Sequence, residues 1–210
     1  MEDYNLDFDP EKIIDITLPF HPEMEKPSPT FKGFQFQWDL RIEKGQQRNR
    51  SAFSMETHVG THVDAPLHFI ENGKSIDQMP IHQLVGPAQV IEVPSPKAVS
   101  AEFLQSSIGE IKIAIFKFGR ERLDRKHPYF TVEGVNFLAE HGIQTVGTDN
   151  YNIDSESTEW DIHHAMLGRE FMVIEGLKLD KVTPGFYKLI CFPLLFKGGE
   201  AAPARAILIK

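Results

Sequence analysis

The stretch His58-Val59-Gly60-Thr61-His62-Val63-Asp64-Ala65-Pro66-Leu67-His68-Phe69 places three of the chain's nine histidines and one aspartate within eleven residues. Imidazole nitrogens and a carboxylate oxygen are the donor set of zinc, manganese or iron. A helix would put His58 and His62 on one face, but Gly60, the β-branched Val59, Thr61 and Val63, and then Pro66 all disfavour it. In a continuous strand the two histidines would stand roughly 13 Å apart, too far to share an ion at about 2 Å from each. The chain must therefore turn at Gly60-Thr61, where glycine supplies the freedom. The turn brings both imidazoles and Asp64 to a common point, with a carboxylate able to bridge two ions. Pro66 then directs the chain so that His68 can face the same pocket without necessarily being a ligand, and a histidine beside a metal-bound water is a natural proton carrier.

A second cluster follows about a hundred residues later, in TEWDIHHAMLGREFMVIEG (158–176). Glu175 ends an otherwise apolar run, and a carboxylate there is costly to bury without a partner, of which a metal is one. His163 and His164 sit on a short helix, where neighbours point about 100° apart, so one of the pair is expected to reach an ion.

Around these clusters the chain reads as alternating strands and helices. Ile13–Leu18 is strand-like and ended by Pro19, and the proline-rich segment 19–29 is either a surface loop or a flap over a pocket. Phe34, Phe36, Trp38 and Leu40 alternate with polar residues, giving a strand with one apolar face. After a polar turn, residues 51–59 resume as its hairpin partner and deliver the histidine stretch. Further strands are expected at 88–93, 111–118, 143–147, 170–175, 186–192 and 204–209. Helices are expected after Ser100 and Thr131 as N-caps, and over Asp161–Leu167. With no repeat or linker in 210 residues, the expected fold class is α/β: one domain, residues 1–210, with a mixed, barrel-like β-sheet flanked by helices, of the swivelling β/α/β type.

The net charge of −8 argues against a nucleic-acid or anionic-membrane partner. The one dense basic run, Arg120–Lys126, is broken by acids and reads as a solvated loop. The lone Cys191 excludes an internal disulfide, suits a reducing compartment, and lies in an apolar run that fits a packing role. The acidic start MEDYNLDFD has no apolar signal core, and no stretch approaches the ~20 apolar residues of a membrane span. A cytoplasmic location is the expectation.

HVGTHVDAPLHF resembles the signature of the metal-dependent cyclase family, which includes bacterial kynurenine formamidases and isatin hydrolases. Asp15-Ile16-Thr17-Leu18, Gly86-Pro87-Ala88, Gly147-Thr148-Asp149, IHHAMLGREFMVIEGLKL, Phe192-Pro193-Leu194 and Ala202-Pro203-Ala204-Arg205-Ala206 follow the same family in the same order. The resemblance covers the chain from about residue 13 to its end. It implies a barrel-like α/β fold, homo-oligomeric assembly as a dimer or larger, and a site for one or two zinc or manganese ions. Carried over by position, His58, His62, Asp64, His163 and Glu175 are the implied ligands and His68 the general acid/base. His164 becomes a supporting residue. The formamidases' N-terminal loop commonly carries a tryptophan that helps contain the aryl substrate. Here Met24-Glu25-Lys26-Pro27-Ser28-Pro29 has none, which argues against formylkynurenine itself. The expected activity is metal-dependent hydrolysis of an amide or cyclic amide of a small molecule. The alternatives are a lyase or cyclase using the same ion, and a non-catalytic metal-containing binding module.

Overall fold

The computed structural model describes residues 9–94, 98–119 and 129–210, and the strand pairing within them closes on itself. In chain order the strands are β1 (Ile13–Asp15), β2 (Gln35–Leu40), β3 (Arg50–Ser54), β4 (His62–Asp64) and β5 (Val85–Glu92). They continue with β6 (Ile113–Lys117), β7 (Thr145–Thr148), β8 (Met172–Glu175), β9 (Gly185–Pro193) and β10 (Ala201–Ile209). The helices are α1 (Ala101–Ser107), α2 (Val132–Glu140) and α3 (Asp161–Leu167).

The sheet order β10-β4-β8-β7-β6-β5-β9 is closed by a β9–β10 pairing, with β1 added outside on β10. Strands β5 to β8 run parallel, and the remaining pairs are antiparallel. The expected mixed, barrel-like α/β domain is what the chain forms. Two-residue periodicity divides its apolar side chains between two cores. Ile113, Ile115, Met172, Ile174, Val63 and Leu189 fill the barrel. Ala114, Phe116, Val146 and Val173 face outward and are covered by Leu104, Val135, Leu138, Ile162, Met166 and Leu167 from the three helices.

The helix starts follow the expected caps: Ser100 accepts the Phe103 amide and Thr131 the Gly134 amide. Cys191 is buried in the barrel, where desolvation pushes its thiol up to about 12 and leaves it inert. The hairpin is present but differs from its expectation. Strand β3 stops at Ser54, and β2 and β3 form a two-stranded sheet apart from the barrel. Among the described residues its apolar face is left open: Phe36, Trp38 and Phe53 are all exposed. The run Arg120–Lys126 lies outside the described residues.

Candidate metal centre

The centre lies on the outer face of the barrel, beneath α3. In β4, Val63 points into the barrel, so His62 and Asp64 point out; in β8, Ile174 points in, so Glu175 points out. The antiparallel register sets His62 directly opposite Glu175 and Asp64 opposite Val173. Thus two short strands deliver three donor groups to one face, all fully or almost fully buried.

Two glycines make this approach possible. Gly60 has φ 71° and Gly176 φ 67°, and a Cβ on Gly176 would stand 2.4 Å from the Gly60 carbonyl oxygen. Both positions therefore exclude side chains on two counts, backbone conformation and space. Thr61 fastens the turn: its hydroxyl donates to the Gly176 carbonyl at 2.6 Å and accepts the Leu18 amide at 2.9 Å. The segment 19–29 lies over this turn, with Phe20 and Met24 closest to Gly60, and walls a cleft of about 300 Å³ with Tyr151.

His62 donates from Nδ1 to the Gly60 carbonyl at 2.9 Å, which leaves Nε2 as the lone-pair nitrogen. That Nε2 lies 3.4 Å from Asp64 Oδ1 and 3.6 Å from Glu175 Oε2. From α3, His163 Nε2 stands 3.6 Å from Glu175 Oε1 and 3.9 Å from Asp64 Oδ2. Its Nδ1 donates to Asp154, which also accepts the Ile162 and His163 amides. His58 sits at the edge of the cluster, Nδ1 3.0 Å from Asp64 Oδ1 and Nε2 3.3 Å from Glu200 Oε1. His68 stacks on His58 with ring centroids 4.0 Å apart.

All six expected site residues are brought together, and His164 is not: it is exposed, on the face of α3 away from the carboxylates. The sequence reading missed Asp154 and Glu200. For Asp154 the available signal was an acid in the loop before a helix that carries a candidate ligand, where it can meet both the helix amides and the imidazole. Glu200 had no such signal, since it reaches His58 only because β10 pairs with β4.

The electrostatics call for a cation. Burial raises Glu175 well above the ordinary carboxylate range, and the neighbouring Asp64 charge adds to this. Burial also works against Asp64, but the surrounding imidazoles outweigh it and hold this carboxyl ionised. Burial pushes His62 and His68 down to about 4, so both are neutral. At His58 burial is overcome by the charges of Asp64, Glu175 and Glu200, which lift the imidazole to about 9. Most telling, His62 Nε2 and Asp64 Oδ2 are buried without a hydrogen-bond partner, and Asp64 Oδ1 has only the charged neighbour His58. Such orphaned atoms are costly unless something binds them. Their donor types and convergence fit a divalent ion. They fall into two groups that share Asp64: His62, Asp64 and Glu175, and His58, Asp64 and His68.

A closed mixed barrel thus bears a buried His–carboxylate centre whose donor types suit a divalent metal. Residues 14–155 match the family named Cyclase. The chain is 36% identical to a kynurenine formamidase of Salinibacter ruber, over 83% of this chain and 86% of that protein. It is 32% identical to a kynurenine formamidase of Paracidovorax citrulli, over 95% and 97%. A solved structure described as a potential metal-dependent hydrolase with cyclase activity superposes with a TM-score of 0.76. That structure is 27% identical and aligns over 94% of this chain and 96% of its own. The chain belongs to the cyclase family.

Proposed function

We propose that the chain hydrolyses a carbon–nitrogen bond, in an amide or cyclic amide of a small molecule. In this reading His58, His62, Asp64, His163 and Glu175 hold one or two zinc or manganese ions. The observation that carries it is the set of partnerless buried atoms on His62 and Asp64. The choice of bond is supported by the two formamidase relatives. A divalent ion bound there supplies an acidified water and a Lewis acid for the carbonyl.

The chain's own part is to place and move protons. His68, neutral and stacked beside His58, accepts a proton as the water oxygen attacks the carbonyl carbon. It then returns that proton to the nitrogen as the C–N bond breaks, so that acid and amine leave with atoms balanced. Asp154 holds the His163 ring so that Nε2, not Nδ1, faces the carboxylates. Replacing His68 by alanine is expected to slow turnover by about 10²–10⁴-fold with metal content retained.

A two-ion reading has its own observation in its favour, since His68 is also within reach of a donor group with His58 and Asp64. In that case His68→Ala lowers the bound metal from two equivalents to one, and the proton carrier is another group. Elemental analysis of wild type and variant decides between the two readings.

The substrate is tested by a screen of N-formyl arylamines, isatin-like lactams and simple cyclic amides against zinc- and manganese-loaded enzyme. Label from ¹⁸O-water in the carboxylate product supports hydrolysis; unlabelled product would instead support the lyase or cyclase alternative. A homo-oligomer is the expected assembly, checked by light scattering. No helix among the described residues is long and apolar enough to cross a membrane.

A further inference from the structure

Three imidazoles face Asp64, and each has its other nitrogen turned toward an acceptor. His62 presents Nε2 at 3.4 Å and gives Nδ1 to the Gly60 carbonyl. His163 presents Nε2 at 3.9 Å and gives Nδ1 to Asp154. His58 is the reverse. Its Nδ1 stands 3.0 Å from Asp64, and its Nε2 lies 3.3 Å from Glu200 Oε1. His58 precedes the Gly60 turn, and its ring lies edge-on to that of His62, at 84°, and stacks on that of His68.

Glu200 is fastened for this contact. Its Oε1 accepts the hydroxyl of Thr57, the residue before His58, at 2.6 Å. Its backbone carbonyl accepts the amide of Ala65, the residue after Asp64, at 2.9 Å. Ala201, which follows it, stands opposite Asp64 in the β10–β4 register. The carboxylate is thereby tied to the ligand stretch on both sides of the Gly60 turn. Its side chain is 39% exposed, against none for Asp154, so it stands at the solvent edge of the centre while Asp154 lies in the interior. An ionised carboxylate only accepts hydrogen bonds. The imidazole nitrogen facing it must therefore carry the hydrogen, and the lone pair of the neutral ring falls on the other nitrogen.

We infer that Glu200 is a positioning residue of the metal centre: by taking the hydrogen on His58 Nε2 it makes Nδ1 the metal-binding nitrogen of His58, whereas His62 and His163 bind through Nε2. The inference rests on the metal-binding part of the reading above and not on which bond is cleaved. Acidic side chains behind a ligating imidazole fix its ring and its tautomer, and losing one typically costs about 10–100-fold in metal affinity.

Zinc-loaded protein with ¹⁵N-labelled histidine tests this, because two-bond ¹H–¹⁵N correlations separate rings bound through Nδ1 from rings bound through Nε2. The His58 signals, found by their loss in His58→Gln, should show Nδ1 bound and Nε2 carrying hydrogen; the opposite pattern overturns the inference. Glu200→Ala should weaken zinc binding about 10–100-fold in competition with a chromophoric chelator. Glu200→Gln, whose amide oxygen still accepts the Nε2 hydrogen, should recover most of the loss. In a His58→Gln background the same Glu200→Ala change should cost no more than about 2-fold, since the carboxylate acts through that ring. An equal loss in both backgrounds, or none in either, refutes the positioning role. If Glu200→Ala does not fold, Thr57→Val takes its place: it removes the hydroxyl that holds the carboxylate. Weaker zinc binding that disappears in the His58→Gln background supports the role, and unchanged binding refutes it. A wild type that binds no zinc takes the metal-centre reading down with this one. A wild type that binds zinc in the stated pattern yet cleaves no amide sinks only the hydrolase reading.

Discussion

The centre is assembled from two halves that the chain builds in opposite ways. The near half, His58 to His68, comes from one continuous stretch: a glycine turn, three residues of β4 and a proline-led turn. The far half, Asp154 to Glu175, crosses a loop, a helix and a strand. It reaches the first only because β8 pairs antiparallel with β4. The near half is set by local conformation and the far half by the register of the barrel. Short-range geometry therefore fixes which atoms can be ligands, and long-range topology fixes whether they meet.

If the halves are equal partners in holding the ion, removing one carboxylate from either should be ruinous. Asp64→Ala and Glu175→Gln are each expected to strip the metal and cut activity by more than the roughly 100-fold typical of an outer partner. Asp64→Ala should be the worse, since Asp64 belongs to both donor groups. Metal content after dialysis and turnover at saturating added zinc give the comparison. A variant of Glu175 that stays fully metallated would confine the centre to the near half.

Much of this was legible because local rules govern the near half. Gly60 between β-branched residues demanded a turn, and a lone charge ending the apolar run 171–174 demanded a buried partner. The helix caps at Ser100 and Thr131 were readable for the same reason. What was not legible depends on partners far away in sequence. Strand β8 begins at Met172 and not at Glu170, because Glu170 turns the chain at φ 60°. Strand β10 begins at Ala201, ahead of Pro203, because there β10 is passing from β4 to β9. A proline that lacks a donor is tolerated at such a crossover. No pattern of residues announces that place. The hairpin apolar face looked like core because alternation signals amphipathicity, not what lies against it.

Asp154 tests how far the distant half depends on its support. With both helix amides and the His163 ring directed at it, Asp154→Asn keeps the shape and loses the charge. The expected cost is 10–100-fold in metal affinity, measured by competition with a chromophoric chelator. An unchanged affinity would show that α3 packing alone orients His163.

Two of the three near-half histidines, His58 and His62, differ in protonation, which gives a pH test. His62 is already neutral above about 4, so its ligation releases no proton at neutral pH. His58 holds its proton to about 9, so an ion that uses it must displace that proton. Metal affinity should therefore rise with pH, by up to about tenfold per unit, and level off near 9. His58→Gln should flatten this slope. In the metal-free protein the sign is reversed. A histidine raised above its unfolded value contributes stability below about 6.5 that is lost as pH rises through about 9. Chelator-treated protein should thus be less stable at pH 9.5 than at pH 6.5 through this group, while metal binding is stronger.

The smallest effect separates two adjacent residues of the far half. His163 and His164 differ by about 100° around α3. His163 is buried against Asp154 and the carboxylates, while His164 is exposed and meets the edge of Phe69, with ring centroids 5.2 Å apart. His164→Ala should then leave metal content and turnover as they are, and alter stability by no more than about 0.5 kcal/mol, as at other surface positions. The same substitution at His163 should remove metal, since no other imidazole of α3 can take its place. If instead His164→Ala depletes the metal, the helix turns differently in the loaded enzyme, and the far half is set by the ion and not by the barrel register.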